Sequence, residues 1–145
     1  MKLELKHLAS YLPYELKGFC TDDLQGVEIM NGLQKISDSC IEVISDKEPM
    51  DLVYFKPILF PLSSLTKEIT VNGETFVPYD KINKKYPNTP QFTDYVKGWM
   101  QYYGVMDSKC EYVCILKLFE LKIDVFGLIE AGLAEPVTED FNPYK

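Results

Sequence analysis

The chain has 145 residues, 46% of them hydrophobic and 13% aromatic, and 22 acidic side chains against 15 basic ones give a net charge of −7. That length suits one domain with one real core, and the apolar fraction excludes a disordered chain. Every basic residue is lysine, and an acidic chain lacking arginine, the usual residue for bidentate recognition of phosphate and guanine, is not a nucleic-acid binder.

Residues 3–12 are a short amphipathic start with Leu3, Leu5, Leu8 and Leu12 apolar, and Pro13 stops it. Residues 16–20 read as a strand. Asn31-Gly32 then lies between the alternating runs 27–30 and 33–36. A type I′ turn needs positive φ twice, so this dipeptide predicts a hairpin with those runs as its arms. Residues 40–44 alternate as a further strand. The run 52–62, LVYFKPILFPL, is apolar but carries Pro57 and Pro61. The prolines predict a strand over 52–55 followed by an extended segment laid across the core, not a central strand. Ser63-Ser64 offers an N-cap for a short helical turn over 64–68. Asn72-Gly73 predicts a second hairpin. Residues 78–90 hold three prolines and read as a loop.

Thr89-Pro90 opens a helix whose Phe92, Val96, Trp99, Met100 and Tyr103 share one face, and Gly104 ends it. The longest periodic segment is 108–132. Ser108-x-x-Glu111 fits a capping box at its start. Cys114, Leu118, Leu121, Val125 and Leu128 form one apolar stripe, and Ile115, Phe119, Ile123, Phe126 and Ile129 a second beside it. Lys117, Glu120 and Asp124 mark the polar strip. A break near 122–124 is expected, with Asp124 able to recap the chain. A helix packed on one side of a sheet needs an apolar arc of only about 100°. The excess predicts that part of 112–129 meets a second copy or a partner.

Strands first and helices later predict an α+β fold: an N-terminal antiparallel sheet with hairpins, followed by two C-terminal helices packed on it. Residues 1–135 form a single globular domain, and 136–145 a polar C-terminal tail.

The search for chemistry yields no catalytic, cofactor-binding or metal-binding residues. His7 is the sole histidine and has no nucleophile motif nearby. Cys20, Cys40, Cys110 and Cys114 lack the close pairs of a zinc site, so reduced thiols and no metal are expected. Asp22-Asp23 and Glu139-Asp140 read as solvated acids. No glycine-rich phosphate loop occurs, and no cofactor is expected. No stretch of about 18 apolar residues spans a membrane. MKLELKHL lacks the apolar core of a signal peptide, which predicts a cytoplasmic location. Trp99, Tyr102, Tyr103 and Tyr112, with Phe119 and Phe126 of the over-apolar helix, are the candidate interface residues.

Three blocks carry a resemblance: MKLELKHLASYLPYELKGF, KPILFPLSSLTKEI with VNGETFVP, and LFELKIDVFGLIEAGLAE. Together they resemble a family of small proteins encoded by phages and prophages of gut Bacteroidales. Its patterns read KxELKHLAPYLPYGLK, KPILRPLSDLTKEI and WHFDVFGLIEKGLAI. This chain departs from them. Ser10 stands where Ala-Pro is usual, Phe60 replaces an arginine, and Leu121-Lys122 replace Trp-His. The resemblance covers about half the chain and brings no activity with it. It implies an accessory role in the host cytoplasm, such as binding a host or phage protein.

The expectation is therefore a non-enzymatic protein-interaction module. Its partner is a host or phage protein, or the chain itself as a homodimer. The alternatives are a self-assembling structural protein that uses the 108–132 helix, and an enzyme with an unfamiliar site.

Overall fold

A computed structural model describes residues 2–22, 26–30, 33–36, 40–43, 50–85 and 111–145, with side chains described for 2–19, 51–82 and 115–145. The protein is α+β. A four-residue helix α1 (Leu5–Leu8) runs into a 3-10 helix (Ala9–Tyr14) that contains Pro13, and Glu15, at φ 54°, ends it. Strand β1 (Gly18–Asp22) follows, then β2 (Gly26–Met30), β3 (Leu33–Ile36), β4 (Cys40–Val43) and β5 (Met50–Asp51). The chain continues through β6 (Phe55–Leu59), the hairpin β7 (Ile69–Val71) and β8 (Glu74–Phe76), and helix α2 (Pro78–Lys85). Helix α3 (Glu111–Glu120) and the short strand β9 (Glu135–Pro136) complete it.

The main sheet has the order β2-β1-β6-β9, and a second sheet has the order β3-β4-β5. The Asn72-Gly73 hairpin forms as expected. Asn72 sits at φ 51° and Gly73 at φ 78°, and Val71 pairs with Glu74. The Asn31-Gly32 dipeptide lies outside the described residues, and its flanking strands do not pair with each other. β2 pairs with β1, and β3 with β4. An Asn-Gly turn fixes local φ but does not choose a ladder partner, and β1 takes the edge of β2.

Two expectations built on proline are corrected. Pro57 lies inside β6, which is central, with β1 antiparallel on one side and β9 parallel on the other. Ile58 N–H donates to the Lys17 carbonyl at 2.9 Å. Backbone groups alternate along a strand, so the Pro57 nitrogen faces away from β1, ahead of the two-residue β9 ladder, where no donor is required. Pro78 likewise does not break structure. It is the first residue of α2, where a proline lacks nothing the helix needs. Pro61 precedes the 3-10 helix Leu62–Thr66, which starts slightly earlier than the helical turn expected over 64–68.

Apart from Lys56, β6 is apolar without alternation because both of its faces are covered. Phe55 and Leu59 join one core cluster with Leu8, Tyr11, Leu16 and Phe119. Ile58 and Phe60 point to the other, with Leu65, Ile69, Ile82 and Ile123. Gly18 of β1 lies against Phe55, and a Cβ there would meet its ring at 2.4 Å.

The same division explains the two stripes of the C-terminal segment. Leu118 of α3 and Leu121 just past its end enter the second cluster, while Phe119 is buried in the first and half-buried Ile115 packs against it. The helix ends sooner than the expected 108–132. Lys122 takes φ 57°, its N–H donates to the Phe119 carbonyl at 2.9 Å, and Ile123 N–H donates to the Leu118 carbonyl at 2.9 Å. This is a Schellman stop, sealed by Leu118 and Ile123 in one cluster. Phe60 then bridges to Ile123 in parallel. Asp124 caps the next turn, accepting from the N–H groups of Leu128 and Ile129 at 2.9 Å each. A second Schellman pattern closes that turn. Gly132, at φ 72°, donates to Ile129 at 3.0 Å, and Leu133 donates to Leu128 at 2.8 Å.

The excess apolar arc is therefore taken up by two cores. Among Ile115, Leu116, Phe119, Ile123 and Phe126, two are buried, three are half-buried and none is exposed. The side chain of Tyr112 lies outside the described residues, as does the whole helix expected over 90–103. No helix among the described residues is long and apolar enough to cross a membrane.

Residues 136–145, expected as a polar tail, fold back on the body. Val137 and Tyr144 are buried, and Phe141 stacks on Phe19 with centroids 5.5 Å apart. Asn142 Nδ2 donates to the Thr70 carbonyl at 2.8 Å, and Asn72 N–H donates to the Tyr144 carbonyl at 2.7 Å. The last residues thus tie the β7-β8 hairpin to the main sheet.

Candidate functional site

Of the six candidate interface residues, Trp99, Tyr102 and Tyr103 lie outside the described residues, and Tyr112 is described only as part of α3. Phe119 and Phe126 are brought together, but in the core. Phe119 is buried, with its ring 5.8 Å from Phe126 and in an edge contact with Tyr11 at 4.9 Å. Half-buried Phe126 also faces His7 at 5.5 Å. Such aromatic pairs add to the burial of their rings, so Phe119 offers no free surface.

The polar groups inside this cluster hold the structure together. The Tyr11 hydroxyl donates to the Ile123 carbonyl at 2.6 Å and accepts from Val125 N–H at 3.3 Å. Burial pushes its pKa far above that of a solvated phenol. His7, the sole histidine, accepts a hydrogen bond at Nδ1 from Glu4 N–H at 3.1 Å. Burial lowers its pKa, chiefly by disfavouring the imidazolium, and neighbouring Lys6 lowers it further. A protonated Nδ1 would also lose that bond, so burial and the hydrogen bond both favour the neutral imidazole. The nearest acid in sequence is Glu4, an exposed group lowered first by its hydrogen bond to Lys6. That pair is a surface ion contact, not an acid–base pair. Buried Asp124 spends both oxygens on caps. The cysteine side chains of 20, 40, 110 and 114 lie outside the described residues. Among the described residues no group of three His, Cys, Asp or Glu is placed to hold a metal.

What the surface does offer is apolar. The 3-10 turn Leu52–Tyr54 projects Val53, 64% exposed, and Tyr54, 43% exposed. Asp51 caps the turn, its side chain accepting from Val53 N–H at 3.1 Å. The turn borders a shallow groove of about 270 Å³ lined by Leu3, Val53, Phe55 and Leu133 with Lys2 and Lys56. Lys56 pairs with Glu135. The sequence reading missed this turn. Its only signal is an Asp ahead of Leu52, Val53 and Tyr54, too short for any periodicity.

No family model, curated protein or solved structure matches this chain.

A second polar feature lies at the other end of β6. The Tyr144 hydroxyl donates to the Ile58 carbonyl at 2.7 Å and accepts from Lys17 N–H at 3.1 Å. The Lys17 amine lies 5.7 Å and the Lys122 amine 5.3 Å from the centroid of the Tyr144 ring. Lys17 Nζ also donates to the Pro143 carbonyl at 2.6 Å. Lys122 is buried, although a lysine at such a position normally has an ionic partner.

Proposed function

We propose that the chain is a phage- or prophage-encoded accessory protein that acts in the bacterial host cytoplasm as a non-enzymatic protein-interaction module. The observation that carries this is the pair Val53 and Tyr54, exposed on a capped turn beside an apolar groove. A capped turn presents its side chains at low entropic cost, and aromatic residues on such sites anchor interfaces. The employment of His7, Tyr11 and Asp124 in caps and seams favours binding over catalysis. The three blocks of family resemblance support the phage setting. In the same reading the fold is an N-terminal antiparallel sheet with hairpins and two C-terminal helices packed on it.

The self-assembling alternative loses ground because the described part of the 108–132 segment is directed inward. The enzyme alternative would need a carboxylate desolvated in a pocket beside His7, and Glu4 is exposed and held below the usual carboxylate range by its hydrogen bond to Lys6.

The test replaces Tyr54 with the photo-cross-linker p-benzoylphenylalanine in the full-length chain, irradiated in host cells. A discrete adduct of chain plus one heavier protein supports the proposal. An adduct of twice the chain mass favours self-assembly. A ladder identical to that from exposed Lys67 rejects a specific surface.

A further inference from the structure

The groove beside the Val53-Tyr54 turn has a floor and a charge that together narrow what it can hold. Leu3 and Phe55 in its lining are buried members of the first core cluster, and Leu133 packs against that cluster. Its apolar surface is thus set by the packed core. Val53, 64% exposed on its capped turn, is the outermost apolar member of the lining. The volume of about 270 Å³ falls below the roughly 300–1,000 Å³ of small-molecule and cofactor pockets. It suits one or two side chains of a partner.

Among the described residues, the charged side chains of the lining are both lysines, Lys2 and Lys56. The Lys56 amine is paired with Glu135. Lys2 is exposed and takes part in none of the ion pairs among the described residues. The lining is therefore positive on a chain whose net charge is −7. A positive apolar site favours an acidic segment and disfavours a basic one. A second copy, itself at −7, is repelled over the rest of its surface. Strand addition at the adjoining sheet edge is also blocked. β9 is the edge strand there, its Pro136 has no N–H, and Val137 N–H already donates to the Leu59 carbonyl at 2.8 Å. A bound segment is held by its side chains, not as an added strand.

We propose that this groove binds a short segment of a partner protein in which a large apolar side chain stands next to an aspartate or glutamate. The apolar side chain lies on Leu3, Phe55 and Leu133, and the carboxylate meets Lys2. Lys2 is the primary cation, because Lys56 already has Glu135. The inference rests on the protein-interaction reading and gives its partner a chemistry.

The test titrates full-length ¹⁵N-labelled protein with the blocked peptide GDLFG and its counterparts GNLFG and GKLFG. The expected result is a saturable shift of the Leu3, Gly132 and Leu133 amide signals. GDLFG should bind about threefold more tightly than GNLFG, the gain that one exposed ion pair gives, and GKLFG should bind most weakly. Added salt should shrink the difference. In Lys2→Gln, a change at an exposed position, GDLFG and GNLFG should bind alike, and in Val53→Asp both should weaken. Equal binding of all three peptides, a preference unchanged in Lys2→Gln, or no saturable shift overturns the proposal. So does a protein that sediments as a dimer dissociated by GDLFG, because the occupant is then a second copy. Binding of GDLFG with no adduct from position 54 in host cells sustains the groove chemistry and counts against the turn as anchor. A discrete adduct without any charge preference does the reverse.

Discussion

Replacing Tyr11 with phenylalanine isolates one hydroxyl at the seam between the N-terminal helices and the C-terminal segment. The ring stays, and so does its edge contact with Phe119. What goes is the donor to the Ile123 carbonyl, 2.6 Å away, and the acceptor for Val125 N–H, 3.3 Å away. Neither backbone group has another partner among the described residues. Losing a net hydrogen bond costs about 1 kcal/mol, and a buried carbonyl left without a donor costs about 1–3 kcal/mol. The two costs overlap, and the long bond to Val125 adds little, so the expected loss is about 2 kcal/mol. For a chain of this size that lowers Tm by roughly 6–8 °C. Urea melts followed by tryptophan fluorescence and far-UV circular dichroism measure it, with coincident curves establishing two-state behaviour. A loss under about 0.5 kcal/mol with an unchanged m-value would mean that water reaches the Ile123 carbonyl. The seam around the Tyr11 hydroxyl would then be open to water.

Other variants probe other joints. Phe119→Ala and Leu121→Ala each remove a buried side chain from a different cluster and should cost roughly 2–5 kcal/mol in the same melts. Lys117→Ala should cost about 0.5–1 kcal/mol, because its side chain is only 14% exposed and its stem packs while the amine pairs with Glu120. Asp124→Asn puts an amide donor against one of two N–H groups, and should cost about 1–3 kcal/mol in denaturant melts. His7 gives a pH dependence with a definite sign. Its folded pKa lies below the ordinary 6.5, so the unfolded chain binds the extra proton first. Its contribution is complete above about 6.5 and is lost as pH falls through the folded value. In Tm measured against pH, His7→Gln should flatten the profile in that window.

Local signals were legible where the physics is local. Asn72-Gly73 gives its hairpin because both positive φ values are met by the two residues themselves. Asp124 shows in the sequence as a recapping residue for the same reason. Asn31-Gly32 fails as a pairing signal because the ladder partner of β2 is chosen by β1, across a separate connection. Pro57 and Pro78 mislead because a proline's effect depends on where its nitrogen points, and tertiary placement decides that. The apolar excess of 108–132 reads as an interface from one helix alone. Over the described side chains, 115–132, it resolves into core once β6 divides the interior into two clusters. The docking of Tyr144 rests on contacts to Lys17 and Ile58, far away in sequence, and no periodic pattern announces them.

The central claim is that this protein works by binding another protein through the turn that presents Val53 and Tyr54. Photo-cross-linking from position 54 in host cells tests it most directly. The account predicts one discrete heavier adduct, lost when Val53 is also changed to aspartate and not reproduced from position 67. No adduct at position 54, or the same adducts from both positions, would contradict it.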